Sequence, residues 1–249
     1  MRKLRKIFLI TFLCLGVLTL NIFADEDPRD EDPLAFQTIK NMAKDYAEKE
    51  LSPVVDLFSG VFNTGFYAPV SGKIVSLGIQ LNIVPIPKEG IFENVDQKVL
   101  PAPFLYGGVR APVIGVFGLA RAAFFPAGEK IFQIWGLGAG WEPNLIPLLN
   151  TKVLLSYHFI KNFPYIAKLS SWGGDIIVSF TKIPFVTPFS VLGFNRTTLQ
   201  PDVEIITGEK IEVSATNFYF SLGLKIMFIT AEVAIVPSNT YSISAGFSF

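Results

Sequence analysis

The stretch IVSLGIQLNIV, Ile74–Val84, alternates strictly: Val75, Leu77, Ile79, Leu81 and Ile83 fall on one side, Ser76, Gly78, Gln80 and Asn82 on the other. Successive side chains of an extended chain point to opposite faces, so this reads as a strand with one apolar and one polar face. The rhythm recurs. TKVLLSYHFI sets Val153, Leu155, Tyr157 and Phe159 against Leu154, Ser156, His158 and Ile160. GDIIVSF sets Ile176, Val178 and Phe180 against Asp175, Ile177 and Ser179. NFYFSLGLKI sets Phe218, Phe220, Leu222, Leu224 and Ile226 against Tyr219, Ser221, Gly223 and Lys225. In TAEVAIV the parity reverses, which requires a tight turn or bulge near Met227 and Phe228 and puts Thr230 and Glu232 on the polar face.

The start of the chain says where these strands are built. Arg2, Lys3, Arg5 and Lys6 precede the apolar run IFLITFLCLGVLTL, and NIFA ends at Ala24, the pattern of a secretory leader cut after that alanine. A retained helical anchor is the alternative reading, disfavoured by the acidic DEDPRDEDP that follows. The single cysteine, Cys14, lies inside the leader, with Leu13 before it where a lipoprotein signal needs a small residue. A cleaved chain then holds no thiol, which excludes disulfides, thiolate metal sites and cysteine nucleophiles.

Composition poses a conflict. Half the residues are hydrophobic, yet beyond the leader no run approaches the roughly 18 consecutive apolar residues that a membrane helix requires. A transmembrane barrel resolves it, because alternate residues face lipid and no segment is apolar throughout. Hydrocarbon also demands closure, since each unpaired backbone amide there costs several kcal/mol. FLYGGVR, VIGVFGLARAAFF, FQIWGLGAGW and FVTPFSVLGFN supply further strands, bringing the count to about ten, and single-chain bacterial barrels favour even numbers. PDVEIITGEKIEVSA is either an extended hairpin or one more strand pair, which makes twelve the alternative. The expected fold is therefore all-β: a closed antiparallel transmembrane β-barrel of about ten strands with a short N-terminal helical plug. A soluble secreted sandwich is the competing reading; it would have to keep large apolar faces wet.

The expected organisation is a leader over 1–24, an acidic linker over 25–33, amphipathic helices over 34–64 and the barrel over 65–249. In the third segment Phe36, Ile39, Ala43 and Tyr46 recur at helical spacing, and Ser52 with Pro53 reads as the start of a second short helix carrying Val54, Leu57, Phe58, Val61 and Phe62. These apolar stripes need a partner, and the short stretch from Phe62 to the first strand favours a plug in the lumen over a helix on the rim or membrane surface.

The lumen expectation follows from one arginine. Arg121 on the lipid face near the midplane would cost about 2–4 kcal/mol, so it points inward and brings Phe117 and Leu119 with it. Gly136, Gly138 and Gly140 line the same side, opposite Trp135, Leu137, Ala139 and Trp141. With His158, Asp175, Tyr219, Lys225 and Glu232 this makes a narrow, partly apolar interior, better suited to a small hydrophobic ligand than to open water.

Resemblances add to this. The closing strand YSISAGFSF, with Tyr241, Ile243, Phe247 and terminal Phe249 on one face, resembles the C-terminal signature by which bacterial outer-membrane proteins reach the barrel-assembly machinery. The order of helix, FNTGFY (Phe62–Tyr67), LPAP (Leu100–Pro103), RAAFFP (Arg121–Pro126), WGLGAG (Trp135–Gly140) and AGFSF resembles a family of bacterial outer-membrane barrels of unassigned role, distantly similar to the long-chain fatty-acid transporters. The likeness runs from about Leu51 onward, on short glycine-rich motifs. The chain is far shorter than those transporters, so their larger barrel and loops do not carry over. What the resemblance implies is a plugged barrel of the hydrophobic-uptake type in the outer membrane, among outer-membrane lipids.

Three functions follow as expectations. The first is passive passage of small hydrophobic compounds. The second is a non-transporting structural or adhesive barrel whose surface lies in loops, with KNFPYIAKLSSWGG and NRTTLQPDVEIITGEK as the longest candidates. The third is a lipid hydrolase using Ser156 and His158, which share a strand face, with Asp175 nearby; ordinary lumen residues are the plainer reading. No cofactor or metal ligand set is visible, and GLGAG lacks the helix start and Lys-Ser/Thr pair of a phosphate loop. Lysine plus arginine balance aspartate plus glutamate at 21 each, so losing the leader leaves an acidic chain with no basic stripe for nucleic acid.

Overall fold

A computed structural model of the chain describes residues 33–66, 74–93, 95–111, 113–127, 130–143, 149–163, 166–180, 183, 185–201, 211–235 and 240–248. The expected leader and acidic linker, the TGEK turn and Phe249 lie outside the described residues. The chain divides into two compact units, and the unit formed by Glu48–Asp202 with Glu212–Phe249 contains the whole sheet.

One helix, α1, runs Pro33–Asn63. The expectation of two short helices is corrected at Pro53, which sits inside it. An interior proline removes one backbone hydrogen bond and crowds the preceding turn, at about 3 kcal/mol. Here Val54, Val55, Leu57, Phe58, Val61 and Phe62 are all buried just beyond it. At about 1.5–3 kcal/mol for each large side chain taken out of water, that burial outweighs the break. The side chains of Phe36, Ile39 and Ala43 lie outside the described residues, and Tyr46 is exposed.

Ten strands follow: β1 (Val75–Pro85), β2 (Val99–Ala111), β3 (Val116–Ala127), β4 (Lys130–Trp141), β5 (Leu149–Lys161), β6 (Ile166–Phe180), β7 (Val186–Pro201), β8 (Val213–Ile226), β9 (Ile229–Ile235) and β10 (Thr240–Ser248). Each pairs antiparallel with its sequence neighbours, and β1 also pairs with β10 from Ser76↔Ser248 to Ile83↔Tyr241, so the sheet is a closed barrel. Closure leaves no strand edge with unpaired amides. β7 pairs directly with β8 up to Leu199↔Val213, so no extra pair enters the wall and the twelve-strand alternative falls. The reversal of parity is a two-residue hairpin at Met227–Phe228, where Met227 adopts φ 52°, as tight hairpins require.

The two candidate loops are also corrected. Residues 166–174 of KNFPYIAKLSSWGG belong to β6, and residues 195–201 of NRTTLQPDVEIITGEK belong to β7. Ser171, Asn195 and Thr197 read as loop but line the inner wall, where they are buried.

The outward face of the barrel is apolar, and the interior mixes buried polar groups with apolar ones. On β1, Leu77 and Ile79 are 57% and 61% exposed while Gln80 and Asn82 are 3% and 0%. Leu105, Leu155, Leu192, Phe218 and Phe247 continue the exposed band around the wall. A girdle of this extent has hydrocarbon as its natural solvent, and the structure is a transmembrane barrel.

Candidate functional site

The site is the lumen, and the part of α1 from Glu48 to Asn63 fills its centre. The last carbonyls of a helix have no partner within it, and α1 has no basic residue in its last turn. The wall supplies what the helix lacks. Arg121 on β3 donates to the carbonyls of Thr64 at 2.9 Å, Phe62 at 2.6 Å and Val61 at 3.4 Å. From β1, Asn82 Nδ2 donates to Val61 and Thr64, and Gln80 Nε2 donates to Thr64 at 2.8 Å. A cation at this end also meets the negative pole of the helix.

The guanidinium is buried. It lies 4.8 Å from the ring centre of Phe66 and 4.5 Å from that of Phe104, and it donates at 3.0 Å to Nε2 of His158, which makes that nitrogen the acceptor. The His158 ring stacks on Phe62 at 5.1 Å and 6°, with Phe66 edge-on at 4.9 Å. Glu232 on β9 completes the clamp: Oε2 accepts the Gly65 amide at 2.9 Å and Oε1 accepts the Ser221 hydroxyl at 2.5 Å. Higher on the helix, Ser59 donates to Asn195 Oδ1 and accepts from Asn217.

Beyond the clamp the character changes. Phe66, Phe117, Leu119, Leu154, Ile177, Phe189, Val191 and Tyr219 form one buried cluster, with the Tyr219 hydroxyl donating to Asp175. The inward glycines are sockets for these rings. A side chain at Gly136 would meet His158 and Arg121, one at Gly138 would meet Phe66, and one at Gly140 would meet Phe117. Toward the mouth formed by the β2–β3 and β4–β5 connections, Glu142 pairs with Arg110 at 2.8 Å, accepts from Asn150 and lies 4.0 Å from Lys152.

Of the candidate lumen residues, Phe117, Leu119, Arg121, His158, Asp175, Tyr219 and Glu232 are all buried inside the barrel. Lys225 stands apart, partly exposed next to the Met227–Phe228 turn and opposite Thr187 and Thr230. The plug residues Val54, Leu57, Phe58, Val61 and Phe62 are buried in the same interior. Tyr241, Ile243 and Phe247 face outward on β10. The hydrolase set does not come together: His158 is committed to Arg121 and two phenylalanines, and Asp175 to Tyr219. Among the described residues no group of three His, Cys, Asp or Glu is placed to hold a metal ion. Gln80, Asn82, Phe104, Asn195 and the Arg110–Glu142 pair were not singled out by the sequence reading. Strand parity carried a signal for Gln80 and Asn82, which alternate inward with Ser76 and Gly78.

No protein-family model and no curated protein sequence matches this chain. Among solved structures it is similar to Ail, the attachment invasion locus protein of Yersinia pestis. The complex of Ail with the heparin analogue sucrose octasulfate aligns at 13% identity and TM-score 0.30, and a second Ail structure at 14% and 0.29. Each covers 71% of this chain and 97% of the other. A superposition that loose carries no inference on fold or role, and neither structure is a fatty-acid transporter.

Proposed function

We propose that this chain is a plugged, non-conducting barrel of a bacterial outer membrane, structural or adhesive in role, with its working surface outside the lumen. One observation carries the reading: the Arg121 guanidinium, 2% exposed, donates to the carbonyls of Val61, Phe62 and Thr64, so the principal lumen cation holds the plug. The outward Tyr241, Ile243 and Phe247 fit delivery by the barrel-assembly machinery. The test is electrical. Purified protein in a planar lipid bilayer should stay silent, and a variant lacking residues 48–66 that still shows heat-modifiable migration should conduct. Steady ion steps from the intact protein would overturn the proposal.

Passage of small hydrophobic compounds is the second reading, favoured by the apolar cluster around Phe66. It requires a lipid or hydrophobic probe to copurify with the protein, which mass spectrometry of the detergent-purified sample detects; a ligand-free sample with no probe uptake into vesicles removes it.

A further inference from the structure

The plug has a direction. The two mouths of the barrel are unlike. One carries the connections 112–115, 142–148, 181–185 and the two-residue turn 227–228, together with the start of β1 and the end of β10. The other carries 86–98, 128–129, 162–165, 202–212 and 236–239, which include the two longest connections. Outer-membrane barrels keep short turns on the periplasmic side and longer loops outside, so the second mouth is the outer one.

The contacts of α1 place its residues in order along that axis. Gly90, in the 86–98 connection, sits so close to α1 that an added Cβ would lie 2.8 Å from the Glu50 carbonyl and 3.2 Å from Pro53. Phe58 packs edge-on against Phe163, in the 162–165 connection, at 5.7 Å. Phe62 reaches His158 in the upper part of β5, and Gly65 meets Glu232 near mid-barrel. Phe66 joins Phe117, Leu119, Phe189 and Val191, which lie near the short-turn ends of β3 and β7. Ile74 then accepts the Arg110 amide at the short-turn mouth, where β1 begins. The helix from Glu48 to Asn63 is about 24 Å long at 1.5 Å per residue, close to the roughly 25 Å height of the apolar band.

We infer that the plug is threaded through its own barrel from the outer mouth to the periplasmic one, so that its Glu48 end opens on the cell surface. The clamp on Val61, Phe62 and Thr64 fixes the polarity, because the carbonyl end of α1 is the buried end and its Glu50–Pro53 turn is the one at the long loops. This rests on the proposal that the barrel sits in an outer membrane.

Single cysteines in a Cys14→Ser background test the threading. Glu48→Cys reports the amino end of the plug, Lys88→Cys the long-loop mouth and Met227→Cys the short-turn mouth. Intact cells are treated with a membrane-impermeant maleimide, and heat-modifiable migration confirms that each variant is folded. The expected result is labelling at positions 48 and 88 in intact cells, and at 227 only after the outer membrane is permeabilised. Labelling at 88 without 48 overturns the threading while leaving the membrane barrel standing. Labelling at 227 alone reverses the orientation and overturns the proposed direction. Equal labelling of all three in intact cells, or their recovery in the soluble fraction, defeats the membrane reading itself.

Discussion

The two halves of the lumen hold the same plug by different physics. In the half nearer the long loops, directed bonds from Asn82, Arg121, Glu232 and Asn195 reach the backbone and Ser59 of the helix end. In the other half, Phe66 is held mainly by packing among rings and aliphatic side chains, with Arg121 over its face and His158 at its edge. Directed bonds specify one position and one polarity for the helix, and apolar packing supplies stability without caring about register. A barrel that needed only a stopper could use the second device by itself.

That contrast can be broken from either side. Arg121→Ala should be the largest single loss, since it strips three carbonyls of a charged donor at about 1.5–3 kcal/mol each, and the urea midpoint for losing the compact gel band should fall steeply. The same variant should become conducting in bilayers, because positioning is lost with stability. Phe117→Ala should cost about 3–5 kcal/mol by leaving a cavity over Gly140, with the lower midpoint but without conductance. Gly138→Leu should cost about 1–3 kcal/mol by driving a side chain into Phe66, and a compensating Phe66→Ala should recover part of the midpoint. Ser59→Ala should cost about 1 kcal/mol, the smallest shift, read as a change in the midpoint with the silent bilayer record intact. If Phe117→Ala opened the lumen and Arg121→Ala did not, the division of labour would be reversed.

Much of this was legible because membranes simplify the code. Period-two alternation placed the faces of β1, β5, β6 and β8, and the cost of a charge in lipid was enough to turn Arg121 inward with Phe117 and Leu119. The parity reversal located the Met227–Phe228 turn. What the sequence hid has physical reasons. The partners of Arg121 are backbone carbonyls, which no residue type announces. Ser52-Pro53 resembles a helix start because a proline suits a first turn, and only burial on its far side carries the helix across. The upper parts of β6 and β7 look like loops because a polar lumen gives a strand serines and asparagines. The inward glycines do not announce their partners by residue type; each makes room for a ring on the adjoining strand or the plug.

The seam between β1 and β10 joins residues at opposite ends of the barrel sequence, Ser76 with Ser248. Pairings so distant in the chain carry the greatest loop-closure entropy and form slowly, whereas the β8–β9 hairpin forms locally. Local hairpins along the chain therefore have the lower closure cost, and the seam between β1 and β10 is the last to shut. A helix that ends inside, tethered a few residues before β1, must already be in place when the seam shuts, which makes the N-terminal segment a template for assembly as well as its final stopper.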